Sequence, residues 1–134
     1  MYENWLFWEV YMLIPHLHFG GNCKDAITLY EKVFNTKAIN FDYKDDKIAH
    51  AELNIHGQKV WLNDAFGNKN KSVDCGAIHL ILTFNSTNEL LDCYEYLKDD
   101  ISISTPFIET PYSKLVGNFL DKYGVLWGFM VVNN

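Results

Sequence analysis

The sequence predicts an α+β fold: two βαβββ modules forming a curled mixed sheet around a cavity, helices outside. Three observations predict it. The element order strand, helix, three strands occurs twice along 134 residues. Each presumptive helix carries apolar residues on one stripe only. The first strand is two-faced. In Leu13-Ile14-Pro15-His16-Leu17-His18-Phe19, strand alternation puts Ile14, His16 and His18 on one side and Leu13, Leu17 and Phe19 on the other. An apolar face packs on helices, and a histidine face looks into a cavity.

The elements follow in order. Gly20-Gly21 turns the chain, and Asn22 suits an N-cap. Ala26, Ile27, Tyr30, Val33 and Phe34 recur at helical spacing, which predicts a helix over about 22–34. Residues 37–43 alternate weakly and reach a turn at Asp45-Asp46. The next strand places Ala49, Ala51, Leu53 and Ile55 on one side and His50, Glu52 and Asn54 on the other. His56-Gly57 turns tightly into Lys59–Asp64, where Val60 and Leu62 oppose Trp61 and Asn63. Gly67 to Asp74 is rich in Asn and Lys without an apolar period, so it reads as a linker. The second module starts with a strand from Ala77 to Phe84 carrying His79. Ser86 and Glu89 form a capping box ahead of Leu90, Leu91, Tyr94 and Leu97. A strand near 101–105, a loop holding Pro106 and Pro111, and strands near 115–120 and 125–132 complete it. The loop from Phe107 to Leu115, with Ser113 and Lys114, suits a lid or a plain connection. The modules span about 12–66 and 76–132 of one domain, 12–134, and residues 1–11 form an N-terminal arm.

Composition excludes several functions. A net charge of −6 with scattered lysines argues against nucleic acid, whose phosphates demand clustered cations. The arm MYENWLFWEVY lacks the basic start and cleavage site of a signal peptide, and Glu3 and Glu9 interrupt it too soon for a membrane span. Cys23, Cys75 and Cys93 are odd in number and far apart, which fits reduced thiols in the cytoplasm. No phosphate loop, Gly-x-Ser-x-Gly elbow or His-Glu-x-x-His occurs.

Parity assembles the candidate site. His16, His18, His50 and His79 all point to the inner side, with Glu52, Trp61 and Asn63 beside them. These seven are the expected ligand-binding residues. Glu52 suits either a salt-bridged strand residue or a catalytic base. Trp61 suits either plain core or a flat wall against a planar ligand. Trp127 shares parity with Val125, Phe129 and Val131 and is expected in the core under a helix.

With Pro15-His16-Leu17-His18-Phe19, His50-Ala51-Glu52-Leu53, Leu62-Asn63-Asp64 and Asp121-Lys122-Tyr123-Gly124 in this order, the chain resembles the vicinal oxygen chelate superfamily of glyoxalases, bleomycin-resistance proteins and extradiol dioxygenases. Within it, the chain is most similar to the PhnB-like branch, often labelled 3-demethylubiquinone methyltransferase-like. Pro15-His16-Leu17-His18-Phe19 with Gly21-Asn22-Cys23, and His50-Ala51-Glu52-Leu53, carry the resemblance. So do Leu62-Asn63-Asp64-Ala65-Phe66 and Asp121-Lys122-Tyr123-Gly124-Val125-Leu126-Trp127. The methyltransferase label lacks a physical basis here. No Gly-x-Gly-x-Gly loop exists, and two modules leave no room for a doubly wound sheet.

The resemblance implies homodimerisation and a divalent-metal position on four strands, falling at about His16, Trp61, His79 and Gly128. His16 and His79 could ligate; an indole nitrogen only donates, and glycine has no side chain. His18, His50 or Glu52 could substitute. Three functions follow. The first is a small-molecule-binding protein without a complete metal site or cofactor. The second is a divalent-metal-dependent lyase, isomerase or dioxygenase. The third is a structural or regulatory dimer.

Overall fold

The computed structural model describes residues 12–64, 78–99 and 101–132. The expected arm, the whole of the expected linker and Cys75 lie outside them.

Two four-stranded sheets share one core. The first contains β1 (His16–Phe19), β2 (Ile39–Lys44), β3 (Lys47–Ile55) and β4 (Gln58–Asp64), in the order β1-β4-β3-β2. The second contains β5 (Leu80–Phe84), β6 (Ser102–Thr110), β7 (Ser113–Leu120) and β8 (Leu126–Val131), in the order β5-β8-β7-β6. In each, the first strand pairs parallel with the last and the others pair antiparallel. Helix α1 (Cys23–Val33) follows β1, and α2 (Thr87–Leu97) follows β5.

Burial explains each helix. Cys23, Ala26, Ile27, Tyr30 and Val33 form the buried stripe of α1. Leu90 and Leu97 anchor α2, and the Tyr94 ring packs on Phe107 and Phe119. Ser86 caps α2 by accepting the Glu89 backbone N–H at 3.2 Å.

The N-cap expected at Asn22 is different. Its side chain makes no cap bond. Asp64, at the end of β4, supplies the acceptor instead: its Oδ1 receives the N–H groups of Gly21 and Cys23, both at 3.0 Å. A carboxylate beside the positive end of a helix gains from both hydrogen bonds and dipole. Burial, then the Asp64 charge, pushes the Cys23 thiol up to about 12.

Three other expectations change. Ile48, not Ala49, is buried with Ala51, Leu53 and Ile55. A bulge explains this: Tyr43 pairs with Ile48 but Asp42 pairs with His50, and one extra residue flips the parity. Secondly, β6 runs unbroken through Pro106, so the loop expected there is strand. Proline lacks an N–H and is tolerated because β6 is an edge strand. Thirdly, the segment from Phe107 to Leu115, read as a loop serving as lid or plain connection, is the hairpin of β6 and β7. Ser113 is fully buried, and its one hydroxyl hydrogen can serve either the Leu115 or the Val131 carbonyl, both 2.8 Å away.

Trp127 is 1% exposed and packs on Tyr30 of α1 and on Phe34, the residue that caps it. Beneath it lies Asp121, also buried. Its carboxylate accepts from Tyr30 Oη at 2.6 Å and Trp127 Nε1 at 2.9 Å. It also accepts the Tyr123 and Val125 N–H groups. One buried charge thus ties the helix of the first module to the last turn of the second. Burial, reinforced by Asp121, holds the Tyr30 phenol well above its usual range.

Removing Asp121 strands two donors in the core. Asp121→Ala is expected to cost about 3 kcal/mol or more, and Tyr30→Phe about 1–2 kcal/mol, in urea unfolding. Because the two groups share a bond, the double variant should lose less than the sum.

Candidate functional site

The open face of the first sheet, opposite α1, carries the candidate residues. Register builds it rung by rung. His16 pairs with Trp61, Trp61 with Glu52 and Glu52 with Ile39, so one rung crosses all four strands. His18 pairs with Asn63 on the same face. The β3 bulge lies between Ile48 and His50, so His50 shares the face of Glu52 although Ile48 has turned inward.

The side chains meet. The His16 ring lies 4.3 Å from His18 and 6.0 Å from Trp61, edge-on to the indole. The His50 ring lies 5.2 Å from Trp61. His50 Nε2 stands 3.8 Å from Glu52 Oε1. His18 Nδ1 donates to Asn63 Oδ1 at 2.6 Å, since an amide oxygen only accepts. His16 and His18 are exposed, while His50, Glu52, Trp61 and Asn63 are half-buried. Burial, then the neighbouring His18 and His50, holds the His16 imidazole below its usual range. It is therefore mostly neutral at pH 7.

Trp61 is not plain core. Its Nε1 is buried and has no hydrogen-bond partner. A buried donor left unpaired costs about 1–3 kcal/mol.

His79 stands apart. Strand β5 begins at Leu80, so His79 precedes the strand expected to carry it. It lines a cleft of about 250 Å³ with Leu13, Pro15, Gln58 and Leu80, at the seam of the two modules. No ring contact or hydrogen bond joins it to His16, His18 or His50. The cluster has three histidines, not four.

The residues do not fit a divalent metal at the four expected positions. Indole nitrogen cannot ligate at Trp61. In the second sheet, Ile81 pairs with Gly128, so an isoleucine occupies the place expected for His79. A Cβ on Gly128 would sit 2.8 Å from Asn118 Oδ1, so a side chain there would first have to turn the Asn118 amide aside. Among the described residues, no group of three or more His, Cys, Asp or Glu is arranged to hold a metal ion.

Sequence reasoning missed the contribution of β2. Ile39 and Asp42 join this face through their pairing with Glu52 and His50. The bulge had blurred their alternation. It also missed the buried carboxylates of Asp64 and Asp121, because a turn aspartate reads as solvated.

Two mixed sheets, each repeating one topology, with a polar aromatic face on one of them, define a glyoxalase-type α+β protein. The chain belongs to the Glyoxalase/Bleomycin resistance protein/Dioxygenase superfamily, whose family model matches residues 14–129. It is 26% identical to Protein YjdN of Escherichia coli K12, over 90% of this chain and 95% of that one. A Bacillus cereus PhnB protein, described as a putative 3-demethylubiquinone-9 3-methyltransferase, superposes with TM-score 0.80 at 25% identity, covering 90% and 98% of the two chains. The Pseudomonas aeruginosa protein PA1353 superposes with TM-score 0.80 at 22% identity, over 92% and 98%. No helix among the described residues is long and apolar enough to cross a membrane.

The His16 environment can be read directly by NMR titration of its ring. Its midpoint is expected below the ordinary value near 6.5. Replacing His18 and His50 with Asn should raise it part of the way, because burial, the larger cause, remains.

Proposed function

We propose that the chain is a small-molecule-binding protein of the glyoxalase/bleomycin-resistance type that works without a complete metal site. The observation that carries this reading is the buried Trp61 Nε1 with no acceptor, set among three imidazoles on an open sheet face. A ligand acceptor would satisfy that donor, and the indole and imidazole rings would supply flat contact area. His16, His18, His50, Glu52, Trp61 and Asn63 form the wall. The methyl-transfer label of the Bacillus relative gains no support from it. Neither four-stranded sheet is a doubly wound parallel sheet with a glycine-rich crossover.

A thermal-shift screen against flat heterocycles and against Ni²⁺, Zn²⁺, Mn²⁺ and Fe²⁺ tests the reading. At least one heterocycle should raise the melting temperature. Trp61→Phe keeps an aromatic surface but loses the donor, and should weaken that ligand about tenfold. Stoichiometric metal retained through dialysis would transfer the reading to a metal-dependent lyase, isomerase or dioxygenase with Glu52 as base.

The protein is further proposed to act as a homodimer. The open face of the second sheet exposes Ile81 (58%) and Ile108 (50%), and Ile103 (56%) stands exposed on the edge strand. Exposed aliphatics on a sheet are a usual mark of a covered surface. A second copy is the simplest cover. Sedimentation should give twice the 15.6 kDa chain mass, and Ile81→Lys should shift it to monomer. A monomeric wild type would remove the proposal.

A further inference from the structure

Two hydrogen-bonding groups on the middle strands of the first sheet are left open, and they are opposite in kind. Trp61 Nε1 is buried, has no partner and can only donate. The Glu52 carboxylate can only accept. Among the described residues nothing donates to it, although its side chain is only 14% exposed. His50 Nε2, at 3.8 Å from Oε1, is too far away for a hydrogen bond.

Register puts the two side by side. Glu52 and Trp61 stand directly opposite each other across β3 and β4. Their Cβ atoms are therefore about 4.5–5.5 Å apart on one face, within the span of one small ring. The His50 ring borders both, 5.2 Å from the indole and 3.8 Å from the carboxylate. The same rung ends in His16 on β1 and in Ile39, 55% exposed, on β2. A flat ring laid along it would meet an imidazole at one end and an aliphatic side chain at the other, with the donor and the acceptor between them.

The pair selects a ligand by the pattern of its edge. An edge with two acceptors, as in an organic anion, would satisfy the indole but set its second oxygen against the Glu52 oxygens. An edge with two donors, as in an amidinium, would satisfy Glu52 but set an N–H against the indole N–H. A carbonyl beside an N–H satisfies both. Every other pattern leaves one desolvated group unpaired, which is the costlier error.

We propose that this rung binds flat lactams, the ring carbonyl accepting from Trp61 Nε1 and the adjacent ring N–H donating to the Glu52 carboxylate. The proposal rests on the small-molecule reading above and names its ligand class. Binding is by hydrogen bonds and ring contact alone, and no covalent bond changes.

The test compares three probes of one shape on the intact chain, by isothermal titration calorimetry in one neutral buffer. Isocarbostyril is the lactam, with a carbonyl beside an N–H. Isocoumarin is the matching lactone, with an oxygen in place of the N–H. The 1-aminoisoquinolinium cation carries donors only. Isocarbostyril should bind about tenfold more tightly than either of the others, because each of them leaves one group of the pair unsatisfied. Glu52→Met keeps the chain length and removes the acceptor, so it should bring lactam and lactone to equal affinity. Trp61→Phe should weaken both about equally and keep the preference for the lactam, since both carry the carbonyl. The ranking in the unaltered chain needs no variant to fold.

Equal affinity for lactam and lactone, or a preference for the cation, would overturn the proposal and leave the small-molecule reading intact. So would binding of a heterocycle without the amide edge from the screen when isocarbostyril does not bind. A lactam preference that survives Glu52→Met would overturn it as well. If no compound of either set binds, the proposal and the underlying reading fall together.

Discussion

The Asp64 carboxylate sets the geometry on which the histidine wall depends. Its two oxygens take three backbone N–H groups: Gly21 and Cys23 at the entry to α1, and Ile48 at the bulge of β3. Two segments separated in sequence are thereby fixed to the end of β4. The bond to Gly21 holds the turn after β1, which keeps β1 parallel to β4 and His16 level with Trp61. The bond to Ile48 holds the bulge, and the bulge brings His50 onto the open side. A buried carboxylate is expensive to desolvate, and backbone donors are what make it tolerable. The wall is thus organised from behind, by a group that never touches it.

Asp121 performs a second tie at another place. Four donors converge on it, two from side chains and two from the turn before β8. Tyr30 belongs to the first module, and Trp127 to the second. The aromatic stack from Phe34 through Trp127 and Phe129 to Phe119 continues this seam. Two modules that could each bury only one side of a sheet share a core here, and the polar network fixes their register. Their open faces are what remains for function.

The sequence was legible where periodicity was strict. Strand β4 alternates cleanly, and Val60 and Leu62 are buried while Trp61 and Asn63 face out. Helix α1 shows its stripe, and Ser86 its cap. Legibility failed where one residue breaks the count. Between Ile48 and Ala51 a bulge inserts an extra position, so pure alternation assigns Ala49 to the core in place of Ile48. At His79, the strand begins at Leu80 rather than at Ala77 as the apolar pattern indicates, and the histidine falls into the seam. At Pro106, edge position overrides the local breaker signal. Asp64 and Asp121 were opaque for a different reason. The donors to Asp64 all come from segments distant in sequence, and Asp121, whose nearer donors follow it in the turn before β8, is closed over by Tyr30 of the first module.

The substitution that matters most chemically is an indole where the superfamily resemblance implies a metal ligand. Histidine, glutamine or glutamate at that rung would offer a lone pair to a cation. Tryptophan offers only a hydrogen. The same backbone position thus changes from accepting to donating, and the complement of the site changes from a cation to an electron-rich atom. The second sheet moves the same way, since Ile81 and Gly128 pair where ligands would stand and neither side chain can ligate. The imidazoles that remain are not thereby idle. His16, His18 and His50 still stand beside the buried Trp61 donor, and the proposed small-molecule reading rests on that grouping rather than on a metal.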